Sequence, residues 1–171
     1  TWTAENCRYP VRKTQENGDD RTRPANIIIT CTDNTRSRLE LWRFLKKYRE
    51  TSVNNERAVY YWMDFGNAQT TGQVFIGTVR NKIRQPASKE FMPVSGMNVI
   101  TEEVNYSTIE EKDSGPSCSL AEALERQDLY INSILAQVGC DILWRMFKEG
   151  RTLYRGAYVN LDTLRVNPVP V

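Results

Sequence analysis

Three segments between residues 25 and 65, in a fixed order, constrain the fold most. Ala25-Asn26-Ile27-Ile28-Ile29-Thr30-Cys31 is a short β-branched run without polar alternation. It predicts a strand buried on both faces, as in a parallel sheet. Leu41, Phe44, Leu45 and Tyr48 then recur at spacings of three and four, which predicts a helix over about 35–49 with one apolar face. Residues 57–65, with Val59-Tyr60-Tyr61-Trp62-Met63 at their centre, are aromatic and β-branched and predict the next strand. Strand, helix and strand in that order make an α/β fold.

The rest of the chain extends this pattern. A short strand is expected near residues 2–8, followed by a polar loop over 12–24. Gly66-Asn67 reads as a break, and 72–79 (Gln73-Val74-Phe75-Ile76) as another strand. Residues 80–117 show no clean period and carry Pro86, Pro93, Gly96, Gly115 and Pro116. An irregular stretch that long is either functional or disordered. Ser119-Leu120-Ala121-Glu122 is a capping box, in which the hydroxyl and the carboxylate each satisfy a free backbone N–H. It predicts a long helix running to about Glu149, closed by Gly150. Leu120, Leu124, Ile131, Ile134, Leu135, Val138, Ile142 and Phe147 are its apolar positions. Residues 158–166 predict a closing hairpin or last strand, and Pro168 and Pro170 argue against a central position for it. A length of 171 residues fits one domain, 1–171, without internal repeats.

Composition narrows the chemistry. The chain has no histidine, which removes Ser-His-Asp and Cys-His triads and all His-containing metal sites. Its 23 basic and 21 acidic residues leave a net charge of +2, so no basic field points to nucleic acid. No apolar window is long enough for a membrane helix, and the start Thr1-Trp2-Thr3-Ala4 has no signal-peptide pattern. The expectation is a cytoplasmic chain and, since it does not open on Met, a fragment. Cys7, Cys31, Cys118 and Cys140 form no Cys-x-x-Cys pair, so free thiols are expected rather than zinc or disulfides. Cys31 and Cys140 lie in apolar runs and are expected in the core. Trp144 and Phe147 are expected in the core or at a dimer contact.

Three segments could carry chemistry. Cys31-Thr32-Asp33-Asn34, with Arg38, follows the first strand, where open α/β sheets bind ligands. Asp33 there could hold a Mg²⁺ bridging phosphates, or Asp33 or Asn34 could simply cap the helix. Pro116-Ser117-Cys118-Ser119 places a thiol just before a helix start, where the macrodipole favours the thiolate. Cys118 reads as a nucleophile or as a small buried residue. Arg43, Lys46, Lys47 and Arg49 read as a solvated basic face.

Cys-Thr-Asp-Asn with an Arg five residues after the Asp resembles the adenylation motif of the ThiF/MoeB/HesA superfamily, which activates ubiquitin-like proteins. Gly66-Asn67 with Thr71-Gly72-Gln73-Val74 is similar to the Gly…Gly-Gln-(Ile/Val) stretch of that family. Tyr61-Trp62-Met63-Asp64-Phe65-Gly66-Asn67 and the run from Pro116 to Leu129 resemble most its branch in the PRTRC system, a bacterial mobile-element gene cluster. The resemblance implies a Rossmann-like sheet of the ThiF type, with a long C-terminal helix followed by a β-hairpin. It implies ATP and Mg²⁺, with Asp33 as the metal ligand and Asn34 and Arg38 on the nucleotide. Cys118 would accept the acyl group, although Ser119 stands where the family has Thr. The family's glycine-loop βαβ unit is expected upstream, since no Gly-x-Gly-x-x-Gly occurs here, and its zinc cysteines are absent. The implied partners are a small ubiquitin-like or sulfur-carrier protein and a second copy of the chain in a homodimer. Two other readings stay open: a non-catalytic partner-binding module on a degenerate fold, and a Rossmann oxidoreductase, which the missing glycine fingerprint and the lack of His disfavour.

Overall fold

A computed structural model describes residues 26–32, 34–51, 59–80, 83, 85–106 and 128–171. The elements in chain order are β1 (Ile27–Thr30), α1 (Thr35–Thr51), β2 (Tyr61–Asn67), β3 (Thr71–Thr78), α2 (Ile100–Glu103), α3 (Ile131–Glu149), β4 (Tyr154–Asn160) and β5 (Arg165–Pro170). The described strands form one mixed sheet in the order β1-β2-β3-β4-β5. β1 and β2 run parallel across the α1 crossover, and every later pair is antiparallel. Among the described residues the chain is therefore mixed α/β, with one parallel pair continued by antiparallel strands.

Side-chain alternation on β2 decides what each face meets. Trp62 points toward α1, where Leu41, Trp42 and Leu45 pack with Phe75, Val79 and Val99. The Trp42 and Trp62 rings stack there, 6.0 Å between centroids. Met63 points the other way, toward α3, and joins Val74, Ile76, Ile142 and Ala157. Ile131 and Leu135, at the start of α3, cover Val159. α3 lies close to the sheet at Gly139, where a Cβ would come 2.4 Å from Phe65 Cζ. The helix ends at Gly150 with φ +66°, the left-handed cap conformation that glycine adopts without a Cβ penalty.

The strand–helix–strand order, the parallel pairing of β1, the irregular backbone of the described residues 85–99 within the 80–117 stretch, and the C-terminal helix followed by a hairpin match the sequence-based reading. Several expectations need correction. β1 is not buried on both faces: Ile29 is 53% exposed, because among the described residues β1 is an edge strand. β2 begins at Tyr61. Gly66-Asn67 is no break, since both residues remain paired, with Gln73 and Gly72, and the turn follows at 68–70. The long helix begins at Ile131 rather than near 119. Its entrance is a turn at Leu129-Tyr130, in which the Asp128 carboxylate accepts from the Tyr130 N–H at 2.9 Å. The capping box and the strand near 2–8 lie outside the described residues.

Cys31 and Cys140 are exposed rather than in the core. Cys31 follows the last residue of an edge strand. Cys140 falls on the side of α3 turned away from the sheet, as do Trp144 and Phe147. An apolar stretch of sequence thus gave no guide to burial, because the helix has apolar residues on both faces. Pro168 and Pro170 sit in β5, an edge strand among the described residues, where a missing N–H costs little. No helix among the described residues is long and apolar enough to cross a membrane.

Candidate functional site

The carboxyl ends of β1 and β2 hold a buried polar network. The parallel register sets Thr30 beside Asp64. The Thr30 hydroxyl donates to Asp64 Oδ1 at 2.6 Å and accepts from Trp62 Nε1 at 2.8 Å. Arg38, at the fourth position of α1, turns inward and meets this carboxylate. Its Nε donates to Asp64 Oδ2 at 2.8 Å, and the pair is almost fully enclosed, with side chains 7% and 1% exposed. Arg38 Nη2 donates to the carbonyls of Thr32 and Phe65. The guanidinium also lies over the Tyr106 ring, 5.9 Å from its centroid. One side chain thereby ties α1 to the turn after β1, to β2 and to the segment after α2.

Burial pushes the Asp64 carboxyl above its ordinary value, while the charge of Arg38 and the hydrogen bonds from Thr30 and Arg38 pull it back. Burial likewise raises the Tyr106 hydroxyl, against the nearby Arg38 charge. The upward direction at Asp64 means that loss of water outweighs the attraction of its partner, the usual balance for an enclosed ion pair.

Gly66, in the stretch likened to Gly…Gly-Gln-(Ile/Val), belongs to the same place. A Cβ at Gly66 would lie 2.5 Å from Gln73 Nε2 and 3.0 Å from Arg38 Nη2. Gly66 and Gln73 pair across the β2–β3 hairpin. Arg38, distant in sequence, therefore meets the hairpin pair Gly66 and Gln73 at the carboxyl end of β2. Asn34 caps α1, its Oδ1 accepting from the Ser37 N–H at 2.8 Å. The capping reading thus holds for Asn34. The Thr32 hydroxyl beside it is buried without a hydrogen-bond partner among the described residues. Asp33 and Cys118 lie outside the described residues.

Asp64 and Tyr106 were missed as site residues by the sequence reading. The signal for Asp64 was present: a carboxylate inside Tyr61-Trp62-Met63-Asp64-Phe65 must find a cation if that strand is buried. Nothing local marks Tyr106. Among the described residues, no group of three or more His, Cys, Asp or Glu side chains could hold a metal ion. A separate cavity of about 760 Å³ opens at the amino ends of β1 and β2, between residues 85–97 and the end of α3. Met92, Met97, Met146 and Phe147 are in its lining, which is mostly apolar and does not include the polar network.

The fold and site define an α/β chain with a charged network at the carboxyl edge of a parallel strand pair. Compared with known protein families and with curated proteins, the chain matches none.

Proposed function

We propose that this chain is part of a ThiF-type adenylating domain, which transfers AMP from ATP to the C-terminal carboxylate of a ubiquitin-like or sulfur-carrier protein. The observation that carries this reading is the convergence of Arg38, Gly66 and Gln73 with the N-terminus of α1. They meet where α/β sheets take nucleotides, beyond the carboxyl ends of parallel strands. In this reading the first-turn N–H groups of α1 provide a positive edge for phosphate, the Arg38 charge being matched by Asp64. Asp33 would hold Mg²⁺, which needs only one or two carboxylates when phosphate oxygens complete its shell. The ion would offset the phosphate charge during transfer. Arg38 holds the Thr32 carbonyl against the sheet, and Asn34 orders the helix start. The Cys118 thiolate would then attack the acyl-adenylate carbonyl, forming a thioester and releasing AMP.

The test is Mg-ATP titration by calorimetry into this chain and into the protein at its full natural length, followed by ATP–pyrophosphate exchange with Asp33→Ala. Binding by the full-length protein and loss of exchange in the variant support the reading. Exchange that survives Asp33→Ala refutes the metal assignment. A Cys118→Ala enzyme that still forms a thiol-reducible conjugate refutes the nucleophile. A non-catalytic binding module is favoured by a different observation: Asn34 caps α1 and Arg38 is bonded into the fold. That module would bind nucleotide in neither form.

A further inference from the structure

We propose that the cavity at the amino ends of β1 and β2 binds a small uncharged aromatic molecule carrying one oxygen acceptor. This inference does not depend on the adenylation reading, whose site lies at the opposite ends of the same strands.

The cavity has the size and build of a ligand site. Its volume of about 760 Å³ falls within the roughly 300–1,000 Å³ of small-molecule pockets. Its walls come from the strap at 85–97, the last turn of α3 and Tyr61 at the start of β2. The strap is fixed in place. The Thr78 N–H donates to the Met97 carbonyl at 2.9 Å, and the Met97 N–H donates to Thr78 Oγ1 at 2.9 Å. The N–H groups of Glu90 and Phe91 both donate to Ser88 Oγ at 3.2 Å. A wall held in this way needs little ordering when a ligand enters, so less of the contact energy is lost.

The lining selects an aromatic ring. Three of the chain's four methionines, Met92, Met97 and Met146, are there with Phe91 and Phe147. Thioether sulfur makes favourable contacts with aromatic rings, and unbranched Met side chains adapt to a guest's shape. The charges of the lining are already answered within the chain. Arg151 stands 3.9 Å from Glu90, with its guanidinium 4.0 Å from the centroid of the Phe91 ring. Glu149 lies within the electrostatic reach of Arg145. A charged guest would enter uncompensated or break one of these pairings, so an uncharged one is favoured. One polar group sets the orientation. Burial pushes the Tyr61 phenol above its ordinary value of 10.0, against a hydrogen bond from Gln85, so it keeps its proton at neutral pH. Since the Gln85 amide donates to the phenol oxygen, the Tyr61 O–H is left to donate to an oxygen of the ligand.

The test titrates 2-naphthol into the whole chain, labelled with carbon-13 at the methionine methyls so that the NMR signals report on Met63, Met92, Met97 and Met146. The Met97 and Met146 signals should shift saturably with a Kd below about 1 mM, the affinity of a fragment-sized ligand. Met63, enclosed in the core and outside the lining, should stay still. 2-Naphthoate and 2-naphthylmethylammonium, the same ring with a charge, should bind at least about 10-fold more weakly. Tyr61→Phe should weaken 2-naphthol about fivefold, the worth of one hydrogen bond, and leave naphthalene unaffected. Phe147→Glu, at an exposed position, should weaken both by about 10-fold and leave the melting temperature unchanged. The proposal is overturned if no saturable shift appears up to about 1 mM 2-naphthol, the outcome in which a protein segment rather than a small molecule fills the cavity. It is also overturned if the charged congeners bind as tightly, if Met63 shifts as strongly as Met97, or if both substitutions leave the affinity unchanged.

Discussion

Replacing Asp64 by Leu removes the carboxylate that Arg38 Nε and the Thr30 hydroxyl both address, and leaves a guanidinium enclosed without its counter-ion. Breaking one side of a buried pair costs about 3–5 kcal/mol. For a domain of this length each kcal/mol lowers Tm by about 2–4 °C, so the variant should melt about 6–20 °C below the parent. The double variant Arg38→Met, Asp64→Leu should regain most of this loss. Burial already pushes the Asp64 carboxyl upward, a sign that desolvation exceeds the attraction it gains from Arg38. An apolar pair of similar volume then gives up little. Asp64→Asn keeps an oxygen acceptor for Arg38 and should cost clearly less than Leu. The assay is urea unfolding followed by tryptophan fluorescence, with Trp62 bonded directly into the network. A loss below about 1 kcal/mol for Asp64→Leu would refute this account. So would a double variant as unstable as the sum of the two single variants, because their coupling would then be absent.

Gly139→Ala places a Cβ 2.4 Å from Phe65 Cζ and 3.1 Å from Val74 Cγ2, and should cost about 1–3 kcal/mol through displacement of α3; an unchanged urea midpoint would show that Phe65 yields freely. Asn34→Ala removes the α1 cap and should cost about 1 kcal/mol, with Asn34→Asp close to neutral; equal losses in both would mean that the cap bond contributes nothing. Glu103 is held below its ordinary value of 4.5 chiefly by the Asn98 amide at 2.8 Å, with Arg155 at 3.0 Å adding to it. Its folded pKa is depressed, so its contribution is present above pH 4.5 and is lost as pH falls through the folded value. The stability difference between parent and Glu103→Gln should therefore be under about 1 kcal/mol at pH 7, since the pair is partly exposed, and should shrink below pH 4.5; a difference that stays flat to pH 3 would contradict the pairing. Asp64, pushed the other way, has the opposite sign: its own contribution falls as pH rises past its ordinary value of 3.8.

What the sequence determined by itself is local. The three-and-four spacing from Leu41 to Leu45 marks α1, Asn34 marks its start and Gly150 marks the end of α3, because periodicity, caps and a positive φ depend on residues within one or two turns. The β-branched run at Ile27–Thr30 also pointed correctly to a parallel neighbour. Tertiary structure decided the rest, through contacts that no local window contains. Arg38 and Asp64 are 26 residues apart and meet only because β2 returns parallel to β1 after α1. Cys140 reads as core in sequence, and Trp144 and Phe147 as core or a dimer contact, because they are apolar, yet α3 has apolar residues around most of its circumference and the sheet can cover only one side. The covered side carries Ile131, Leu135, Gly139 and Ile142, with Gly139 packed against Phe65, a contact that no local spacing reveals.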